Sequence, residues 1–172
     1  MTKEQMTKIL TLISATFPNF ELSEARIQGW MRGAGWHDYK LAIVAMDKIL
    51  ASSKFAPVPC DLNSACAVLR TTKEEAITWG AGWEMVVRAV HQHGYLKAEI
   101  VMKLLPETVQ RAIGGADGFR ELCSGSTENN STIRAQFRQR FETEQKKNFE
   151  YKLLPPTIQN ILGDNLKTLI GE

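Results

Sequence analysis

The sequence predicts an all-α protein. Three observations lead there: apolar residues recur at helical period through most of the 172 residues, no segment shows the strict apolar alternation of a strand, and helix caps and breakers fall between the periodic stretches. Two proline-broken aromatic segments, Phe17-Pro18-Asn19-Phe20 and Lys54-Phe55-Ala56-Pro57-Val58-Pro59, frame the first part of the chain.

The first helix opens at Thr2, whose hydroxyl can cap free N–H groups, with Gln5 placed to complete a capping box. Met6, Ile9, Leu10, Ile13 and Phe17 form its apolar face, and Pro18 ends it by removing a donor and pushing Phe17 out of helical geometry. A second helix starts at Ser23, carries Ile27 and Trp30, and stops at Gly33-Ala34-Gly35. Asp38 caps a third, apolar over a wide arc from Tyr39 to Leu50, which suggests a helix packed on several sides. After the prolines, Asp61 begins a fourth helix carrying Leu62, Ala65, Val68 and Leu69. Phe17, Phe20 and Phe55 are placed to plug the ends of this small core.

A boundary is expected near Thr71 to Glu75, where Thr72 and Glu75 offer a second capping box, giving units over 1–70 and 71–172. A long helix follows to about Gln92, stopped by Gly94. Three short helices are read over Lys97 to Leu105, Pro106 to Ile113 and Phe119 to Cys123, separated by Pro106 and Gly114-Gly115. A polar loop from Ser124 to Ser131 leads to a long helix from about Thr132 to Lys152, and Pro155-Pro156 opens a short last one.

Composition allows a folded core, with 44% hydrophobic and 23% charged residues, and the net charge of +2 gives no strong pull toward nucleic acid. Three cysteines at irregular spacing, with no signal-peptide pattern, fit a reducing cytoplasm. Charged residues interrupt every helical pattern before the roughly 18 apolar residues that a membrane span needs.

Catalytic chemistry is hard to find. Neither glycine-containing stretch carries the Lys-Ser or Lys-Thr of a phosphate-binding loop, so no ATPase signature is present. His91 and His93 do not share a helix face, and Cys60 and Cys66 lack zinc-site spacing. Cys123 reads as packing material near a helix end. No catalytic residue, cofactor or metal site is therefore expected.

Two segments stand out for interaction. In Trp79-Gly80-Ala81-Gly82-Trp83 the tryptophans share a face, and glycines that cost a helix roughly 1 kcal/mol each suggest a close approach by another element. Core packing is the favoured reading over a partner-binding face. In the long late helix Ile133, Phe137 and Phe141 repeat every four residues beside Arg134 and Arg138. From Arg134 to Lys147 five cations stand against Glu142 and Glu144. A packed aromatic face beside a solvated basic one explains the pattern; docking to an acidic protein surface or to nucleic acid is the alternative.

The first 70 residues resemble the phage replicative-helicase loader/inhibitor family. The resemblance rests on the first helix ending in Phe17-Pro18-Asn19-Phe20, Trp30 in the second, Tyr39 opening the third, and Lys54-Phe55-Ala56-Pro57-Val58-Pro59-Cys60-Asp61-Leu62. It implies a compact helical protein without its own ATPase, which binds a hexameric DnaB-type replicative helicase in the host cytoplasm. Such a protein restrains the helicase or delivers it to origin DNA with an origin-binding initiator, and single-stranded DNA is a further candidate partner. In shorter members a mobile C-terminal segment engages the helicase, whereas the second hundred residues here read as folded, so no contact residue is carried over. The expected partner surface is the late helix, with Phe137 and Phe141 as apolar anchors and Arg134 and Arg138 as steering charges. Rival readings are an inhibitor of a host replication factor, a small helical DNA-binding regulator, and an enzyme of unrecognised type.

Overall fold

The computed structural model describes residues 1–72, 75–125 and 130–170, with side chains described through 163 apart from that of residue 130. Every regular element among them is helical. In order these are α1 (Lys3–Thr16), α2 (Glu24–Ala34), α3 (Tyr39–Ser52), α4 (Pro59–Leu69), α5 (Trp79–His93), a 3-10 turn (Tyr95–Lys97), α6 (Ala98–Leu104), α7 (Glu107–Ile113), α8 (Gly115–Ser124), α9 (Asn130–Leu153) and α10 (Pro156–Ile170). The all-α expectation holds. The chain divides into two compact units, Met1–Arg70 with Tyr151–Glu172, and Thr71–Glu150. The expected division kept 71–172 together, whereas this one groups the end of α9 and α10 with the first unit.

Local chemistry sets the ends of the first helices. Thr2 and Gln5 bond reciprocally, the Gln5 N–H donating to Thr2 Oγ1 at 3.2 Å and the Thr2 N–H to Gln5 Oε1 at 2.9 Å. Ser23 and Asp38 cap α2 and α3 through the N–H groups of Arg26 and Leu41. α4 starts two residues earlier than expected. Pro59 occupies its first turn, where a missing N–H costs nothing, and the Asp61 carboxylate accepts the Val58 N–H at 2.8 Å.

The predicted face of α1 packs with Ile27, Trp30 and Ala34 of α2, Ala42, Ala45 and Met46 of α3, and Leu62 and Cys66 of α4. Gly33 lets α2 approach α4, since a Cβ there would lie 2.8 Å from Pro59 Cβ. Phe20 plugs this core and carries the Arg26 guanidinium 4.4 Å from its ring centroid, while Phe17 is half-buried against it. Phe55 does not plug it. The connector holds that ring outward, 81% exposed, because Ser53 Oγ bonds to both the Phe55 N–H and its carbonyl and turns the chain away.

A polar network crosses the same unit. His37 is fully buried; its Nδ1 accepts from Arg70 Nη2 at 3.1 Å, so its Nε2–H donates to Asn63 Oδ1 at 2.8 Å. Asn63 Nδ2 in turn donates to the Gly33 carbonyl. Burial, opposed by the Asn63 hydrogen bond and aided by the charges of Arg70 and the N-terminal amine, holds His37 below the usual histidine range. Protonation would break the Arg70 bond and set two cations together. The unfolded chain therefore binds the proton better, so stability is complete above the ordinary histidine pKa and falls as pH drops below it. We expect denaturant unfolding of α1–α4 to weaken between about pH 7.5 and 5.5 by up to about 1.4 kcal/mol per pH unit, and His37→Gln to flatten the dependence. Amide exchange in α2–α4 at the two pH values checks it.

The second unit departs from expectation at its entrance. Thr72 and Glu75 form the reciprocal pair, but the helix does not continue from it. Gln145 of α9 donates to the carbonyls of Glu75 (3.3 Å) and Ile77 (2.8 Å), acceptors that a continuing helix would use itself. Thr78 then caps α5 through the Ala81 N–H. Gly94 (φ 66°) and Gly114 (φ 88°) stop α5 and α7 in a backbone region where other residues are strained. α8 begins at Gly115, four residues before its expected start. α10 reaches Ile170 and is longer than the short helix read from Pro156. Its corner with α9 is closed by Gln159 Nε2, which donates to the carbonyls of Tyr151 and Leu154. Ser126–Asn129, half of the expected polar loop, lie outside the described residues.

Candidate partner-binding face

α9 supplies this face, and its period decides which side chains reach it. Phe137 and Phe141 do not. They point inward, 3% and 0% exposed, into a core with Val86, Val101, Val109, Ala112 and Phe119. Their centroids lie 5.7 Å apart, and Trp83 stacks on Phe137 at 5.3 Å. As apolar anchors for a partner the two rings are corrected: the α5–α7 side of the unit covers them, and no partner reaches them while the unit is folded. The packing reading of the aromatic stripe holds.

Arg134 and Arg138 lie on the exposed side. Both guanidinium groups sit over the ring of Trp79, at 5.3 and 5.2 Å from its centroid, and Arg138 also donates to Glu142 at 2.8 Å. The tryptophan pre-positions two cations at the helix surface. Beside them runs a groove of about 470 Å³ lined by Trp83, Val86, Val87, Val90, Leu122 and Arg134. A smaller cavity of about 180 Å³, lined in part by Ile113, Ile133, Phe137 and Arg140, opens on the same unit. A cationic rim on an apolar trough suits an acidic protein segment with an apolar side chain to bury.

Further along α9, Glu144 is held below the usual carboxylate range chiefly by its hydrogen bond to Lys147, with Arg111 adding attraction. The basic excess of the helix is thus partly consumed within the unit.

The thiols are not activated. Burial pushes Cys66 up to about 11 and raises Cys123 as well, and Cys60 is an exposed free cysteine. Among the described residues no group of three or more His, Cys, Asp or Glu is placed to hold a metal ion, and no helix is long and apolar enough to cross a membrane.

The first unit presents no comparable trough, yet its sequence carries the kinship. Residues 1–63 match the N-terminal-domain model of the phage helicase-binding and loader protein family. That match accords with the resemblance read from the sequence. It spans α1, α2, α3 and the first turn of α4. Within the matched unit, Trp30 and Phe20 are core residues, Tyr39 packs against the core at the start of α3, and Pro59 opens α4. The motif residues are therefore mainly architectural. No curated protein and no solved structure matches the chain.

Proposed function

We propose that the protein is a non-enzymatic phage DNA-replication protein that binds a hexameric DnaB-type replicative helicase and loads it onto origin DNA or restrains it. The observation that carries this reading is the match of residues 1–63 to the N-terminal domain of the phage helicase-binding family. The missing phosphate-binding loop agrees with it, since a loader without its own ATPase works through binding alone. Such a protein must hold one state of the ring more tightly than another and release it when the origin-binding initiator or single-stranded DNA favours the other state. Its action takes place in the host cytoplasm.

On this reading the α9 face is the helicase contact, with Arg134 and Arg138 steering and the Trp83–Val87–Val90 trough taking an apolar side chain; Phe137 and Phe141 support it from beneath. The double variant Arg134→Glu/Arg138→Glu is expected to weaken helicase binding about tenfold at low salt, with an unchanged melting temperature. Fluorescence anisotropy with labelled protein reads the affinity. Equal affinity for the folded double variant would move the contact off α9. Unwinding assays with and without the protein separate loading from restraint: a loader speeds helicase entry onto single strands, whereas an inhibitor leaves a complex that never unwinds.

A further inference from the structure

The second unit leaves one apolar face uncovered. Leu96 is 94% exposed, Leu104 66% and Ile100 55%, while the intervening Ala98, Val101 and Met102 enter the core. The exposed three recur every four residues, which aligns them along about 12 Å of helix surface. Isolated exposed leucines are ordinary, but an aligned row of them is the signature of a helix-to-helix contact.

The charges at its rim say what covers it. Glu99 is already paired with Arg120 at 2.7 Å, and Glu107 with Arg111. Lys97 and Lys103 are exposed and have no ion pair among the described residues, and on a helix they flank Ile100 on its two sides. The uncommitted charge at the rim is therefore positive. A second copy is a poor occupant, because antiparallel pairing across Ile100 sets Lys97 of one copy against Lys103 of the other.

We propose that the Leu96–Ile100–Leu104 face of α6 and its preceding turn docks an amphipathic helix of a partner protein, one whose apolar stripe is flanked by Asp or Glu. This surface stands on its own observations and does not depend on the helicase reading.

Two synthetic helical peptides of about 20 residues, with the same leucine stripe but Glu flanks in one and Lys flanks in the other, provide the probe. Amide shifts of the isotope-labelled full chain map the contact. The Glu peptide should perturb residues 95–105 and bind at least about tenfold more tightly than the Lys peptide at low salt. Leu96→Asp/Leu104→Asp should abolish the shifts without changing the melting temperature, since both positions are exposed, and Lys97→Glu/Lys103→Glu should reverse the peptide preference. Shifts that map elsewhere, or equal binding of both peptides, would overturn the proposal. So would a wild-type dimer in light scattering that Leu96→Asp dissociates, because the occupant would then be a second copy.

Discussion

Phe141→Ala is expected to destabilise the second unit by about 3–5 kcal/mol, enough to populate its unfolded form near physiological temperature. The ring is fully buried and stacks near Phe137, and its edge lies against the Gly82 backbone, where an added Cβ would sit only 3.2 Å from Cε2. Rigid neighbours on several sides leave little room for collapse, so most of the cavity would persist. Chemical denaturation followed by amide exchange in α5 and α9 measures the loss. Helicase binding through the α9 face falls with it, but through loss of fold. A variant that melts like the wild type and yet loses binding would return Phe141 to the role of partner contact.

Gly82→Val should cost about 3 kcal/mol in the same unit by overpacking. Besides Phe141, a Cβ at Gly82 would meet Val109 Cγ2 at 3.3 Å and Phe137 Cζ at 3.5 Å. A ring and a branched side chain have few ways to retreat. Gly80, one position before Ala81 in the same Trp-flanked segment, is the control. Its nearest neighbour would be Thr78 Oγ1 at 3.9 Å, so Gly80→Ala should be neutral or stabilise by up to about 1 kcal/mol. Opposite shifts in denaturant midpoint for the two variants are the expected outcome. Equal destabilisation would show that helix α5 itself, and not the approach of α9, requires glycine there.

That pair also marks the limit of what sequence alone conveys. The unusual glycines predicted a close approach, and one of the two makes it; which one depends on where α9 crosses, a long-range contact that no local pattern encodes. Caps were legible because their hydrogen bonds span three residues: Thr2, Ser23 and Asp38 all act as read. The Thr72–Glu75 box misled for a tertiary reason, since Gln145, some 70 positions away in the chain, takes the carbonyls that would have extended the helix.

The late helix shows the same limit at the candidate site. Its aromatic and basic stripes were visible, but periodicity cannot say whether an aromatic row faces the protein's own core or a partner, and here it faces the core. On α6 the problem is reversed. Ala98, Val101 and Met102 alternate with Leu96, Ile100 and Leu104 so closely that the segment is apolar all round, and only packing divides the inward set from the outward one. Phe55 was read as a plug because aromatic residues beside prolines often are; the Ser53 side chain, a two-residue effect, turns it outward.

The central claim is that this chain grips a replicative helicase, and complex formation tests it most directly. Size-exclusion chromatography with light scattering on the full-length protein and the purified hexameric helicase of its phage or host, with and without ATP, reads both binding and stoichiometry. The account predicts a stable complex at micromolar concentrations that keeps the hexamer intact and is weakened by Arg134→Glu/Arg138→Glu. Separate elution of the two proteins in every nucleotide state, with both correctly folded, would contradict it.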